Sequence, residues 1–251
     1  MPTSKKRRAA AGSGALMAAL KQAARWAIRP KTLFLNVHFT RWVVRRYCRG
    51  RGCEIGPGVN PQTSRATTIY VDRFTHYNQT PIDTDVVADA AALPFGSKTL
   101  DYVFSSHVLE HCPDTIRVLN EWSRVLRPGG VLVLRLPHRD RTFDRNRALT
   151  PLAHHLEDFA RGVGIDDTTH WKDFEENVVR VANSAWKDEV CRPDGTCDMG
   201  YLVRHGHIHY HVWTQNEIVD LLRHLGCTIR FVIDDTLDRA DSFLVVASVP
   251  E

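Results

Sequence analysis

From residue 52 onward, short β-rich runs alternate with amphipathic helical ones, and this rhythm constrains the fold more than any other feature of the chain. The β-rich runs fall at residues 67–71, 100–105, 130–136, 228–233 and 242–249, with helical periodicity over 114–126 and 216–225. The second helix carries its own boundary signals. Thr214 precedes Glu217 by three residues, the spacing of a reciprocal N-terminal cap, and Gly226 supplies a residue suited to ending a helix. Strands that alternate with helices run largely parallel, because each helix carries the chain back across the sheet and covers a face of it. The expected class is therefore α/β, doubly wound and mostly parallel. Hydrophobic residues at 43% and charged residues at 25% suit a globular domain of this kind.

Two regions break the rhythm. Residues 138–211 are rich in His, Asp, Arg and Trp and poor in apolar runs, so a substrate-specific insertion after the fifth strand is expected there. At the other end, residues 1–53 hold thirteen Lys and Arg and no Asp or Glu, within a chain of net charge +4. Residues 1–14, which include Lys5, Lys6, Arg7 and Arg8, read as a disordered basic tail. Residues 15–50 read as a helical extension. Leu16, Leu20, Ala23 and Ala27 recur at helical spacing before Pro30, and a second helix over 32–46 would bury Leu35, Phe39, Trp42 and Val43. A lid over a pocket, a contact in a homodimer and a membrane-surface helix are the roles open to it. The basic arm either lies over the acidic remainder of its own domain or meets nucleic acid or another anionic surface. No apolar run is long enough for a transmembrane segment and no secretory signal follows the basic start, so a cytoplasmic protein is expected. The six cysteines form no Cys-x-x-Cys pair, and reduced thiols are the expectation, although Cys191 and Cys197 flank a turn-like Pro193-Asp194-Gly195.

The residues that carry chemistry begin with Glu54-Ile55-Gly56-Pro57-Gly58-Val59-Asn60, where the glycines let the chain turn sharply and bring backbone N–H groups near a ligand. Asp72 stands eighteen residues beyond Glu54, a spacing that suits a carboxylate accepting from two ribose hydroxyls. Asp89-Ala90 then precedes Leu93-Pro94-Phe95, the run from Leu100 to His111 follows, and Arg124-Val125-Leu126-Arg127-Pro128-Gly129-Gly130 completes the series. Five elements in this order and spacing closely resemble the class I S-adenosylmethionine-dependent methyltransferases, in the branch called type 11, over roughly residues 52–138. A nicotinamide-binding protein of the same fold is the structural rival. The D-A-x-x-L-P-F and R-V-L-R-P-G-G elements speak against it.

The resemblance implies a Rossmann-like, seven-stranded methyltransferase domain over residues 51–251 with S-adenosyl-L-methionine as cofactor. It places the loop of Glu54, Gly56, Pro57 and Gly58 at the methionine end of that cofactor. Asp72 falls at the ribose, Asp89 and Ala90 at the adenine edge, and Ser106 and His107 at the mouth of the fourth strand. Asn60 departs from the pattern, standing where the family usually has a third glycine, and is expected to hydrogen-bond the cofactor instead.

The acceptor is approached by what is absent. After the fourth strand the chain lacks the Asn/Asp-Pro-Pro-aromatic loop associated with methylation of amino groups on bases, and no cysteine stands where a nucleobase carbon methyltransferase would need one. Histidines are plentiful instead. Ligands of open α/β sheets sit at the carboxyl ends of the strands, which points His107 and His138 toward the reaction. His138 is expected to act as general base, oriented by Asp144 or Glu157, with His107 as the alternative. Arg141, His154, His155 and Glu157 are expected to bind substrate. The run from His205 to His211 places four histidines at period two, a tempting metal face, and a divalent ion such as Mg²⁺ held by Asp140, Asp144 or Asp158 would replace the base. The stretch from His138 to His155 resembles methyltransferases of sugar and glycan biosynthesis, including those acting on methylmannose polysaccharides. The expected acceptor is therefore a hydroxyl of a sugar, glycan or other small polar molecule. An RNA or protein methyltransferase using the basic arm, and a non-catalytic module that binds the cofactor, remain open.

Overall fold

A computed structural model describes the backbone from residue 30 and side chains from residue 39, apart from residue 78 and residues 235–239. The expected tail over 1–14 and the helix ending near Pro30 lie outside the described residues. Seven strands form one sheet: β1 (Gly52–Ile55), β2 (Thr68–Asp72), β3 (Val86–Val87), β4 (Leu100–Ser106), β5 (Leu126–Pro137), β6 (Thr228–Ile233) and β7 (Ser242–Ser248). Their order is β3-β2-β1-β4-β5-β7-β6. The first five run parallel, and β7 pairs antiparallel with both β5 and β6. The Rossmann-like, mostly parallel seven-stranded architecture is thus present. β5 begins four residues before the apolar run that announces it. Leu126 pairs with Leu100, but the next pair is Val131 with Tyr102, so Arg127-Pro128-Gly129-Gly130 bulges out of the ladder.

The longer helices among the described residues are α1 (Pro30–Tyr47), α2 (Thr115–Val125), α3 (Leu152–Arg161) and α4 (Gln215–His224). Successive strand residues point to opposite faces, and the core divides accordingly. Val103, Leu132, Leu134, Val245 and Ala247 face α2 and α4, which bury Ile116, Leu119, Trp122, Ile218, Leu221 and Leu222 against them. Asp114 caps α2 by accepting from the Arg117 N–H, and Thr214 with Glu217 forms the expected capping box of α4. The opposite face presents Tyr102, Phe104, Val133, Leu244 and Val246, and α1 covers it with Phe39, Val43, Val44 and Tyr47. No helix occupies the described connections from β1 to β2 or from β2 to β3. That is why α1 is needed on this face, and its apolar stripe packs on the sheet rather than over a pocket.

Residues 138–211 form a helical unit whose own core includes Phe174, Val179, Leu202, Val203 and Ile208. Arg147 stitches this unit together. Its buried guanidinium donates to Asp144 at 2.9 Å, to Asp173 at 2.6 Å and to the carbonyls of His209 and Tyr210. Against the expectation of reduced thiols, Cys191 and Cys197 are joined by a disulfide; the turn through Asp194 and Gly195, tied by a Thr196-to-Asp194 hydrogen bond, brings them together. Cys48, Cys53, Cys112 and Cys227 are free. No helix among the described residues is long and apolar enough to cross a membrane.

Candidate active site

A cavity of about 440 Å³ opens at the carboxyl ends of β1, β2 and β4, bounded by Gly56, Gly58, Asp72, Asp89, Ala90 and His107. Both glycines have positive φ, 68° and 53°. A Cβ on Gly56 would fall 2.3 Å from the Val108 side chain, so only glycine lets the backbone pass there. The loop is braced from behind by Glu54. Its buried carboxylate accepts from the N–H of Gln62 at 2.9 Å, the N–H of Thr63 at 2.9 Å and the Thr63 hydroxyl at 2.6 Å. Burial pushes the Glu54 pKa up, with these hydrogen bonds working against it. Glu54 therefore shapes the loop and does not line the cavity, and neither Pro57 nor Asn60 lines it either.

Asp72 ends β2 with its carboxylate at the cavity, one oxygen taken by the Phe74 N–H at 2.9 Å. Burial pushes its pKa up, with backbone N–H groups of Phe74, Gly58 and Arg73 opposing. Asp89 holds its turn by accepting from the Ala91 N–H at 2.8 Å, and the Trp122 indole donates to the Ala90 carbonyl at 3.0 Å. A glycine-passable loop, a carboxylate ending the second strand and a braced Asp89-Ala90 turn around one cavity fit a nucleoside-bearing cofactor. Ser106, by contrast, faces away and accepts from Arg135 at 2.9 Å.

The far end of the cavity is built by histidines. His107 holds a left-handed backbone with φ 56°, a strain of about 1–3 kcal/mol for a non-glycine residue. Both of its ring nitrogens have partners, Ser242 Oγ at 2.8 Å and Glu110 Oε1 at 3.4 Å. Ser242 in turn donates to Asp241 at 2.6 Å and is fully buried, so it is no nucleophile. His111 also lines the cavity. It donates from Nδ1 to the Ile208 carbonyl at 2.7 Å, which fixes the tautomer and leaves Nε2 with a lone pair. Burial, and then His209, push its pKa down to about 4, so it is neutral near pH 7. Glu110 lies 3.9 Å from that Nε2. Burial would raise the Glu110 pKa, but the nearby imidazoles of His107, His111 and His209 outweigh it and hold the carboxyl below its usual range. His209 packs against His111 and donates to Asp144 at 2.6 Å. The donor atoms of Glu110, His111 and His209 lie within 4.8 Å of one another, a set able to hold a metal ion.

Several expected residues stand elsewhere. His138 does not line the cavity; its Nδ1 accepts from the Asp140 N–H, capping a short helical turn, and its Nε2 lies 3.5 Å from Asp234. Asp144 orients His209 rather than His138, held there by Arg147. Arg141 pairs with Asp234, Glu157 is exposed, and His155 is buried, accepting from the Trp213 indole at 3.0 Å. Asp140, Asp144 and Asp158 do not converge: Asp140 pairs with Arg139, Asp144 with Arg147, and Asp158 with three histidines. The run from His205 to His211 is not a strand, so its histidines part company. His205 stacks on Tyr201, whereas His209 and His211 enter separate buried clusters.

The insertion closes the cavity with Val163, Ile165, Ile208 and Tyr210, a wall more apolar than its sequence suggests. Cys112 also lines it, but burial pushes its thiol pKa up, which keeps it from acting as a thiolate nucleophile. Glu110 and His111 are the residues to which the sequence reading gave no role, and His209 was read only as part of a histidine face. Their signal is a carboxylate-imidazole pair directly after the fourth strand.

Residues 37–134 match the family model described as a methyltransferase domain. A curated uncharacterized methyltransferase of Mycobacterium sp. (strain KMS) is 49% identical over 49 residues, 20% of this chain and 19% of its own length. A malonyl-[acyl-carrier protein] O-methyltransferase of Methylococcus capsulatus is 45% identical over 47 residues, 19% of this chain and 17% of its own. The chain thus spans about a fifth of the curated relatives it matches. Among solved structures, a SAM-dependent methyltransferase of Thermotoga maritima, titled a possible histamine N-methyltransferase, superposes with TM-score 0.50 at 15% identity, covering 92% of this chain and 96% of that one. Over residues 37–134 the chain is therefore similar to methyltransferase domains, and its fold resembles that of the SAM-dependent methyltransferase of Thermotoga maritima.

Proposed function

We propose that the chain transfers a methyl group from S-adenosylmethionine to a hydroxyl of a small acceptor, with His111 taking the proton. One observation carries this reading: a neutral imidazole of fixed tautomer, its Nε2 lone pair unclaimed, lies in the same cavity as the cofactor-cradling residues. The cofactor supplies an already electrophilic methyl, so the protein's share is alignment, exclusion of water and management of one proton. Gly56 and Gly58 admit the backbone to the methionine end, Asp72 accepts from the ribose hydroxyls, and Asp89 with Ala90 reads the base. Ile208, by accepting from Nδ1, keeps Nε2 of His111 the basic atom, and Glu110 offers charge to the imidazolium as it forms. His107, tied at both nitrogens, positions Glu110 rather than acting as the base.

A sugar or glycan hydroxyl is the acceptor class put first. Phe74, Tyr77 and Tyr210 at the cavity offer flat faces on which a ring can rest. The buried thiol of Cys112 argues against covalent attack on a nucleobase. Incubating the full chain with methyl-labelled cofactor and separated glycan, small-molecule, lipid, protein and RNA fractions tests the assignment. Label in an ether of a glycan or small molecule supports it. Label in RNA or protein transfers the role to the basic arm, and cofactor binding without transfer to any fraction makes the chain a binding module. His111→Gln should bind cofactor normally and lose about 10²-fold or more in turnover. Full turnover in that variant would remove His111 from the role.

A further inference from the structure

A cluster of close donor atoms among the described residues lies outside the proposed reaction centre. His154 and Asp158, one turn apart on α3, meet His170 and His211 behind the cavity wall. Asp158 Oδ2 lies 3.2 Å from His154 Nε2, 3.2 Å from His170 Nε2 and 3.0 Å from His211 Nε2, and the His154 and His170 nitrogens are 3.0 Å apart. Four ligands placed about 2.0 Å from a central ion stand about 3.3 Å from one another at tetrahedral angles. The observed separations are those edges. Hydrogen bonding alone accounts for them poorly. If all three imidazoles donate to the one oxygen, the His154 and His170 N–H groups collide; if one turns acceptor, Asp158 loses a donor. The second oxygen of Asp158 is buried and has no hydrogen-bond partner at all.

The surroundings fit a ligand set. The outward nitrogen of His211 meets the Thr115 hydroxyl at 3.1 Å, and that of His170 meets Thr169 at 3.3 Å, so each ring is steered to turn Nε2 inward. His154 keeps a partly exposed side chain and so gives an entry path.

We propose that His154, Asp158, His170 and His211 bind one divalent transition-metal ion of the zinc type. Three imidazoles and a single carboxylate favour zinc over Mg²⁺, which prefers an all-oxygen octahedral shell. With four protein ligands the site is closed, and its work is structural. Residues 163–165 and Tyr210, which wall the cavity, lie between these ligands in the chain, and the His170 ring packs against Tyr210. The ion fixes that wall against α2, through Thr115. Its effect on cofactor affinity rests on the methyltransferase reading; its existence does not.

The test uses the full chain purified without a histidine tag. Elemental analysis should find about one zinc per chain. Metal-depleted protein given Co²⁺ should develop the intense visible bands of tetrahedral cobalt and lose them to zinc. His154→Ala and Asp158→Asn should each lower metal content to well below one per chain while far-ultraviolet circular dichroism stays unchanged. Chelation should lower Tm, and zinc should restore it. Protein that is isolated without metal and takes up neither zinc nor cobalt overturns the proposal. So does stoichiometric metal retained in both variants, which would place the ion at Glu110, His111 and His209 instead. Metal bound as described by a chain that binds no cofactor would leave the site standing and sink the methyltransferase reading.

Discussion

Glu54→Gln separates a residue that touches the cofactor from one that builds its loop. The carboxylate receives three donors, the N–H of Gln62, the N–H of Thr63 and the Thr63 hydroxyl. A carboxamide is the same shape but has one oxygen. Turned to serve Thr63, it faces the Gln62 N–H with its own NH₂, and that buried donor is orphaned at about 1–3 kcal/mol. The two bonds that remain lose charge assistance, about 1 kcal/mol each. Relief of the buried charge offsets part of this, since burial already pushes the Glu54 pKa up. The net expectation is a loss of about 2 kcal/mol in unfolding free energy, read by urea denaturation with tryptophan fluorescence. Cofactor affinity, by calorimetry, should fall no more than about tenfold, the equivalent of 1.4 kcal/mol, because only loop order is lost. Unchanged stability together with abolished binding would refute the reasoning and return Glu54 to direct contact.

Asp72→Ala should cost at least tenfold in cofactor affinity with little change in stability, as its half-exposed carboxylate faces the cavity; calorimetry and thermal melting together check this. Arg147→Met should destabilise the chain by about 3–5 kcal/mol, because it leaves the fully buried Asp144 to His209 and takes the donor from the His209 and Tyr210 carbonyls, and Asp144→Asn on top should recover part of the loss in a double-mutant cycle. His111 has a folded pKa near 4 against an ordinary value near 6.5, so between these the unfolded chain binds the extra proton. Stability should therefore fall as pH drops from 6.5 toward 4, His111 contributing a slope of up to about 1.4 kcal/mol per pH unit that His111→Gln removes. Alkylation of the denatured, unreduced chain should modify four cysteines, Cys48, Cys53, Cys112 and Cys227, and all six only after reduction.

That Gly56, Gly58, Asp72 and Asp89 gather at one cavity is legible in the sequence because their spacing is set by local structure. Asp72 ends a short strand and Asp89 follows one, and the glycines of the loop between Glu54 and Asn60 report a backbone need that no distant partner modifies. The histidine end of the cavity depends on pairs that spacing does not encode. Asp144 meets His209 across 65 residues and Thr115 meets His211 across 96, inside an insertion with no repeating pattern. Period-two histidines suggest a single face only if the backbone is extended, and between His205 and His211 it is not. Glu54 shows a different limit. Its motif is readable, yet both carboxylate oxygens point into the protein, a direction fixed by the turn at Gln62 and Thr63.

The helix that covers the second face of the sheet also sets where this domain begins in practice. The family match starts at residue 37, inside α1, and the glycine motif starts later still. A chain begun at Arg51, just ahead of β1, would keep every residue that bounds the cavity and yet bare Tyr102, Phe104, Val133, Leu244 and Val246 to water. An apolar patch of that extent on a sheet invites self-association. Expression trials trimmed to the motif should yield aggregates, while those that retain residues 30–50 stay dispersed, and for this protein the domain is longer than its signature.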